Sequence, residues 1–347
     1  MNDKKGKKSK AAELQAAIKA RLQALSALTD DARIGEEMQS YMQFLGRFHR
    51  YSFRNALLIL MSNPDATLVA GYRKWQQMGL QVRKGEKGIP ILAPQTYRGK
   101  AKKETGANTN DLVIEVESKA AKGQAKTGIW FRTVYVFDVS QVGIPCYACQ
   151  ERRTIVVSIK DEETGEVYEK EEDRLSPPVL APHDVTHCPD CGAKLDASLP
   201  RPPQWTNEGE NGAGLAARLE TYARSLGIEI TEVDLPGTRQ GESHIGKVVL
   251  RTGLSPLGRA SILAHEIAHE LLHTEQDRKT LSKAIKETEA EATAYAVCAH
   301  FGYETNAPNY IAMWSGDSGL LLQRMNRIAN ATRRIVEAIE TMEGGVS

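Results

Sequence analysis

The sequence lacks any long apolar stretch. It contains no run of about 18 consecutive apolar residues, the length that a membrane-spanning helix requires. The lysines at positions 4–10 could imitate the start of a signal peptide, but the segment after them carries Glu13, Lys19 and Arg21 and cannot be its apolar part. We therefore expect a cytoplasmic protein with no membrane partner.

Aromatic residues make up only 6% of the chain, and there are only five cysteines. Apolar residues still make up 41%, which is enough to bury a core and excludes a disordered protein. A length of 347 residues predicts two or three domains. Four of the five cysteines form two Cys-x-x-Cys pairs, a pattern that indicates metal ligation rather than disulfides in a reducing compartment.

The net charge is only +1, but the two halves of the chain differ strongly. Residues 1–140 hold 24 Lys+Arg against 13 Asp+Glu, or +11, and residues 141–347 hold 21 against 31, or −10. An excess of +6 remains in the first half after the five lysines of its tip are removed. A basic half of this kind favours a nucleic-acid partner, and a solvated lysine tail on an ordinary domain is the alternative.

The order of helical and strand-like patterns predicts an α+β protein with three parts. Residues 1–140 contain amphipathic helices, a short helix around Trp75, and strand-like runs at 89–93, 113–116 and 134–137. Residues 141–205 contain both cysteine pairs and an acidic run, and a proline-rich linker over 200–214 follows. Residues 206–347 predict a mainly helical domain with a small sheet, in which one helix begins at Ser255-Pro256.

The clearest chemical motif is His265-Glu266-Ile267-Ala268-His269. Histidines four residues apart share one helix face, about 6 Å apart along the axis, and can bind one Zn²⁺. Glu266 is then predicted to be the general base that takes a proton from water. The alternative is an amphipathic helix with two packed histidines, but its apolar flanks would bury polar groups that need a partner.

A third ligand is expected from the next helix, which offers Glu287, Glu289 and Glu291. Glu287 and Glu291 share a helix face, and Glu289 is predicted to point away. We favour Glu291 as the ligand, because apolar residues continue its side of the helix, and we keep Glu287 in reserve. His273 lies about 12 Å along the axis from the first histidine, so it is expected to support the ligands or simply to pack.

The cysteine pairs have the spacing of zinc knuckles, and four thiolates complete a tetrahedral structural site. The ligands would be Cys146, Cys149, Cys188 and Cys191. Between them, residues 154–159 and 166–169 predict a β-hairpin, which gives a zinc-ribbon layout. The alternative is one redox pair and a coincidence. Cys298 is expected to be a small buried thiol. The sequence thus predicts two zinc ions, one catalytic and one structural.

Segments of the third part resemble the ImmA/IrrE-type metallopeptidase family. The matching segments are Glu220-x-Tyr222-Ala223-x-x-Leu226-Gly227-Ile228, Val233-Asp234-Leu235-Pro236, Leu263-Ala264-His265-Glu266-Ile267-Ala268-His269 and Glu291-Ala292-x-x-Tyr295-Ala296. The resemblance implies a zincin-like domain that holds one zinc by two histidines and one glutamate. It therefore implies a zinc metalloendopeptidase with a protein substrate.

The first part resembles the N-terminal domain of ArdC-type antirestriction proteins. The matching segments are Tyr51-Ser52-x-Arg54-Asn55-Ala56-Leu57-Leu58-Ile59, the run from Val69 to Gly88, and Val134-Tyr135-Val136-Phe137-Asp138-Val139-Ser140-Gln141. The resemblance implies a single-stranded-DNA-binding domain followed by a metallopeptidase-like domain. The cysteine-rich insert departs from the pattern of that family.

Basic and aromatic residues of the first part are the candidates for DNA contacts. Basic side chains neutralise phosphates, and exposed aromatic rings stack on unpaired bases. The candidates are Arg54, Arg73, Lys74, Trp75, Arg83, Lys84 and Lys87. The alternative for the aromatic residues, Trp75 included, is burial in the core.

These features together predict a zinc metallopeptidase tethered to single-stranded DNA, encoded by a mobile element and active in antirestriction or regulatory proteolysis. One alternative is a single-stranded-DNA-binding antirestriction protein whose zinc domain is not proteolytic. Another is a regulator that cleaves a repressor without DNA.

Overall fold

The computed structural model describes residues 9–28, 31–98, 127–160, 167–182, 185–195, 212–305 and 317–343. The mixture of helices and small sheets confirms the predicted α+β class. None of the described helices is both long and apolar enough to cross a membrane. The predicted strand at 113–116, the hairpin turn at 163–165 and most of the predicted linker lie outside the described residues.

The helices, in chain order, are α1 (Lys10–Ser26), α2 (Asp31–Arg47), α3 (Phe53–Ser62), α4 (Tyr72–Gln77), α5 (Ala213–Ser225), α6 (Pro256–Leu272), α7 (Glu275–Thr280), α8 (Lys283–His300) and α9 (Ser318–Glu343). The strands are β1 (Val69–Gly71), β2 (Gln81–Val82), β3 (Ile89–Arg98), β4 (Thr127–Asp138), β5 (Val142–Cys146), β6 (Arg152–Lys160), β7 (Val167–Leu175), β8 (Val179–Ala181), β9 (Glu229–Val233), β10 (Gly241–His244) and β11 (Lys247–Arg251).

Two compact units divide the chain, and they do not follow chain order. One unit comprises residues 1–64, 90–134 and 204–347, and the other comprises 65–89 and 135–203. The first three helices therefore share a unit with the C-terminal helices. The three consecutive parts at 1–140, 141–205 and 206–347 stay a prediction about sequence modules.

Helix α2 packs closely against α8 within the first unit. A Cβ on Gly46 would come within 2.4 Å of the carbonyl oxygen of Ala296, so glycine is what permits this approach. The side-chain amides of Gln39 and Gln43 donate to the hydroxyl of Tyr295 at 3.0 and 2.9 Å. The N-terminal helices are thus built onto the helix that bears the predicted third ligand.

The C-terminal part of the first unit surrounds a small sheet with helices. The strand order is β10-β11-β9, with β11 antiparallel to β10 and parallel to β9. The predicted helix start at Ser255 is confirmed, because its hydroxyl accepts from the N–H of Gly258 at 3.1 Å and Pro256 occupies the first turn. Helix α6 is held by a core that includes Leu219, Leu263 and Val297.

The second unit has its own small core, centred on Trp75. This side chain is 0% exposed, and its indole N–H donates to the carbonyl of Phe137 at 2.9 Å. Leu80, Val142 and Ile144 complete the cluster. The sheets here are β2-β5-β8 and the predicted hairpin β6-β7, which pairs antiparallel from Arg152 to Lys160.

Candidate metal centres

Helix α6 presents His265 and His269 side by side. Their Nε2 atoms are 3.0 Å apart, and ligand atoms of His265, Glu266 and His269 lie within 4.8 Å of one another. Donor atoms about 3.3 Å apart are expected in a tetrahedral site with zinc bonds of about 2.0–2.1 Å. The pair that the sequence predicts from its spacing therefore has a separation that one metal ion can span.

The carboxylate nearest to both imidazoles belongs to Glu287 on α8. Its Oε2 lies 3.4 Å from Nε2 of His265 and 3.6 Å from Nε2 of His269. Glu291, one turn further along, is exposed and acts on His265 through its charge. The geometry thus favours Glu287, the residue kept in reserve, over Glu291, and the identity of the third ligand stays a prediction. Glu287 and Glu291 share a helix face, so the position of α8 along α6 determines which of the two carboxylates reaches the imidazoles.

Charge and burial set the protonation of these groups. Hydrogen bonds with His265 and His269 hold the pKa of Glu287 well below its usual range. Burial raises the pKa of Glu266 to about 7, and only 5% of this residue is exposed. A carboxylate with a pKa near neutrality suits a general base, because it can both take up and release a proton there.

The edge strand β10 lies against the carboxylate of Glu266. A Cβ on Gly241 would approach Oε1 of Glu266 to 2.6 Å and Cγ2 of Ile262 to 2.5 Å, so the strand backbone passes the site at close range. Glu270 of α6 accepts from the hydroxyl of Ser243 at 2.6 Å and from the N–H of Gly246 at 3.0 Å, which ties β10 to the helix. The sequence analysis missed this strand; the glycine that opens it was the available signal.

A second row of polar groups lies behind His269. Its Nδ1 is 3.0 Å from Nδ1 of His273, and Nε2 of His273 is 3.1 Å from Oε2 of Glu289. His273 therefore supports a predicted ligand, one of the two roles expected for it. Glu289 contacts His273 rather than the two predicted ligands, and it is buried between α8 and its neighbours.

The four paired cysteines come together in the second unit. Sγ of Cys146 lies 3.5 Å from Sγ of Cys191, and Sγ of Cys149 lies 3.7 Å from Sγ of Cys188. All four sulfur atoms lie within 4.8 Å of one another. Zinc–sulfur bonds of about 2.3 Å place thiolates about 3.8 Å apart, so the cluster fits one tetrahedral ion.

The local backbone favours the thiolate form of Cys188. The N–H groups of Cys191 and Asp190 lower the pKa of Cys188 to about 7. Burial raises the pKa of Cys146, so a cation is needed to hold all the thiolates together. Outside the cluster, Cys298 is fully buried, which confirms the small buried thiol that was predicted. Burial raises its pKa to about 12, so the thiol is expected to be unreactive.

The predicted DNA contacts are not all at the surface. Among the basic candidates in the second unit, Arg73, Lys74, Lys84 and Lys87 are exposed. The guanidinium of Arg83 donates to the carbonyl of Ser140 at 2.6 Å and so has a structural bond as well. Arg54 is half-buried on α3 in the first unit.

Burial corrects the choice of aromatic residue for base stacking. Trp75 is core, as its alternative interpretation held, and offers no ring face to a base. Within the described part of residues 1–140, the exposed rings are instead Tyr72, at 44%, and Tyr135 and Trp130, at 46% each. Trp130 and Tyr135 were not among the predicted stacking candidates, and their odd spacing along β4 gives no common face that the sequence could have indicated.

Family models match both halves of this arrangement. Residues 8–137 match the N-terminal domain of anti-restriction factor ArdC, and residues 223–299 match the IrrE N-terminal-like domain of peptidase family M78. The chain therefore joins an ArdC-type segment to an IrrE-type segment. This confirms the resemblance inferred from the sequence, and the second match spans both histidines and all three glutamates of α8.

Individual relatives are more distant. The Bacillus anthracis protein pXO2-81 is 23% identical over 332 residues, which cover 90% of this chain and 49% of that protein. The chain thus spans about half the length of this curated relative. A metal-free crystal structure of the ArdC antirestriction protein from plasmid R388 has a TM-score of 0.43 at 15% identity, covering 85% of each chain. The Mn(II)-bound structure of that protein has a TM-score of 0.40 at 16% identity, covering 88% of this chain and 99% of the other.

The two ligand sets are separate, so purified protein grown with zinc should contain about two zinc ions per chain. Replacing Cys146 and Cys188 together by serine should remove one ion and leave the other, as measured by elemental analysis. If the double variant still binds two ions, the thiolate site is refuted. A single ion in the parent protein that is unaffected by the double change refutes it equally.

The choice between the two glutamates can be tested by a matched pair of variants. Glu287→Ala should weaken metal binding at the histidine site strongly, because it removes the carboxylate that faces both imidazoles. Glu291→Ala, one turn away on the same face, should weaken it much less. Titration with Mn²⁺ measures the difference, since hard carboxylate and imidazole sites take this ion and thiolate sites select softer ones. The reverse order of affinities would restore Glu291 as the ligand.

Proposed function

We propose that the protein is a metal-dependent endopeptidase whose site is built from His265, His269, Glu287 and Glu266. The observation that supports this most directly is the placement of Glu266. It is buried beside both imidazoles and lies against the backbone of an edge strand. A packed histidine pair without chemistry gives no reason to bury an additional carboxylate there, because burying an unpaired charge is costly.

The donor set fits zinc. Two imidazole nitrogens and one carboxylate oxygen leave a fourth position for water or substrate, which is the composition of catalytic zinc sites. Zn²⁺ bound there would supply Lewis acidity and lower the pKa of a water molecule. Glu266 would accept a proton from the attacking water as its oxygen adds to the carbonyl carbon, and would deliver that proton to the leaving amine nitrogen as the C–N bond breaks. His265 and His269 keep their Nε2 atoms directed to the site.

Strand β10 provides a binding edge for the substrate. It is the outer strand in the order β10-β11-β9, so its free side can pair with an extended peptide. Gly241 brings that edge to Glu266, and the bond of Ser243 to Glu270 fixes it on α6. A peptide laid along β10 therefore passes the carboxylate, which suits cleavage within a chain rather than at its end.

We also propose that the ArdC-type segment binds single-stranded DNA. The support is the match over residues 8–137 and the exposed side chains of the second unit. The ring of Tyr72 packs edge-on against Phe137, with centroids 6.4 Å apart, and Gly88 lies against Tyr135 and Phe137 on the same strand face. Exposed Lys84 and Lys87 border this face in sequence, so stacking rings and phosphate-binding charges occur together.

The combined proposal is a cytoplasmic peptidase that is held near single-stranded DNA, in antirestriction or regulatory proteolysis for a mobile element. Its most direct test is proteolysis of candidate partner proteins with and without single-stranded DNA. Cleavage that depends on Glu266 and is stimulated by DNA supports the combined role. Cleavage indifferent to DNA favours a repressor-cleaving regulator, and DNA binding without cleavage favours an antirestriction protein with a non-proteolytic zinc domain.

Glu266→Gln should retain metal and fold but lower turnover by about 10²–10⁴-fold. The carboxylate is proposed as a base and not as a ligand, so the amide removes the proton acceptor and keeps the shape. Peptide hydrolysis and metal content are measured on the same preparation. Glu275→Gln, at an exposed position on α7, serves as the control. Loss of metal from Glu266→Gln would show that this residue is a ligand instead.

Replacing Tyr72 and Tyr135 together by alanine should weaken binding of single-stranded DNA more than binding of duplex. Stacking is worth about 1–3 kcal/mol per base, and duplex bases offer no free face. Fluorescence anisotropy with a labelled oligonucleotide, in both forms, measures the two affinities.

A charge-only variant separates stacking from electrostatics. Lys84→Ala with Lys87→Ala should weaken the binding of both single-stranded and duplex DNA. For single strands, the slope of log K against log[salt] should become less negative by roughly 0.7 for each phosphate that is no longer neutralised. Lys279→Ala with Lys283→Ala, at exposed lysines of α7 and α8, controls for the same loss of two charges. If the variant with alanine at positions 72 and 135 loses single-stranded and duplex binding equally, the proposal that these two rings stack on bases is refuted.

A further inference from the structure

A buried chain of hydrogen bonds runs from His269 into the protein, away from the site. His269 Nδ1 and His273 Nδ1 are 3.0 Å apart, and His273 Nε2 and Glu289 Oε2 are 3.1 Å apart. The side chains of His273 and Glu289 are 0% and 2% exposed. Water therefore has little access to these groups, and each polar atom depends on its protein neighbour.

Two arginines of α9 face the inner end of this chain. Nε of Arg327 lies 3.6 Å from Oε2 of Glu289, and the charge of buried Arg324 also acts on Glu289. Arg327 is itself anchored, since its guanidinium donates to the carbonyl of Leu272 and faces Asp277 at 3.4 Å. A buried carboxylate beside fixed guanidinium groups is compensated as an anion, and an anionic carboxylate only accepts hydrogen bonds.

Because the Glu289 carboxylate can only accept, it determines which atom donates in each hydrogen bond of the chain. His273 must donate from Nε2 to Glu289, so a neutral His273 has its lone pair on Nδ1. This lone pair accepts from Nδ1–H of His269. A neutral His269 with its proton on Nδ1 has its free lone pair on Nε2, which is the atom 3.0 Å from Nε2 of His265.

We propose that Glu289 and His273 are positioning residues that fix the tautomer and ring orientation of His269 for metal binding. They touch neither metal nor substrate and act through His269. The inference rests on the proposed metal centre. It goes beyond that centre because it assigns a role to a second histidine and a second glutamate that the ligand set does not use.

The spacing of these residues explains how one helix can carry both the proposed metal ligands and a residue that positions one of them. His265, His269 and His273 recur every four residues, so the middle histidine has one neighbour on the side of the site and another on the inner side. Glu287 and Glu289 are two apart on α8 and serve opposite ends of the same row. The ligand His269 is thereby held from both of its nitrogens.

The first test is metal affinity in the full-length protein, with Mn²⁺ as the probe and the free ion followed by electron paramagnetic resonance. His273→Phe fills the space without accepting a hydrogen bond and should weaken Mn²⁺ binding about 10- to 100-fold, the usual cost of losing an outer hydrogen-bond partner. His273→Asn can place an amide oxygen near Nδ1 of His269 and should recover part of the loss. Glu289→Gln keeps an acceptor oxygen and should lose less than Glu289→Leu.

The second test reads the tautomer without any metal. Long-range ¹H–¹⁵N spectra of protein labelled at histidine should show His269 protonated at Nδ1 and His273 at Nε2 in the parent. The His269 signal should change to mixed tautomers in His273→Phe. Packing alone would alter the melting temperature but would leave both the His269 tautomer and the Mn²⁺ affinity unchanged.

Three outcomes are distinct. Unchanged affinity and tautomer in folded His273→Phe overturn the positioning role. If His273→Phe does not fold, equal Mn²⁺ affinities of Glu289→Gln and Glu289→Leu overturn it instead. If His265→Ala binds Mn²⁺ as tightly as the parent, the metal centre itself is refuted, whatever the result at position 273.

Discussion

The packing of α6 against α8 is the contact on which the rest of the site depends. Ala268 of α6 and Ala290 of α8 are completely buried in one cluster with Leu272. Small side chains at a helix contact allow the axes to approach closely, and a larger residue at either position would separate them. Only at short range can a glutamate side chain of one helix reach two imidazoles of the other, as that of Glu287 does.

The same helix α8 also receives the N-terminal helices. Gly46 of α2 contacts its backbone at Ala296, and two glutamines of α2 bond to Tyr295. These contacts lie about two to three turns from Glu287 along α8. The ArdC-type segment is therefore not a free appendage with respect to its first three helices, because part of it shares a core with the segment that carries the histidines.

Local patterns in the sequence correctly predicted the features that depend on one helix alone. Two histidines four residues apart must share a face, and Ser255 before a proline must start a helix, so both were predictable. The choice between Glu287 and Glu291 depends on how far α8 is shifted along α6, and residue spacing within α8 contains no information about that shift. The partner of Glu289 could not be predicted for the same reason, because it depends on which residues at the end of α6 and on α9 lie against that side of α8.

Strand β10 and the exposed rings of Tyr72 and Tyr135 could not be predicted for a different reason. The strand has four residues and no apolar alternation, so its position is defined by pairing with β11 and by the bond of Ser243 to Glu270. For the aromatic residues, the residue type alone does not distinguish a ring that packs in the core from a ring that stacks on a base. Trp75 was assigned to DNA because it lies among basic residues, but the indole N–H bond to Phe137 holds it inside.

The two ligand clusters differ in a way that assigns them different tasks. Four thiolates complete a tetrahedron, so the cysteine cluster leaves no position for a substrate and can only hold chain segments together. It joins the end of β5 to the turn at 188–191, on either side of the β6–β7 hairpin. The histidine cluster offers two imidazoles and the Glu287 carboxylate, with Glu266 buried beside them. Under the proposed function, the chemistry therefore belongs to the first unit, and the thiolates stabilise the fold of the second.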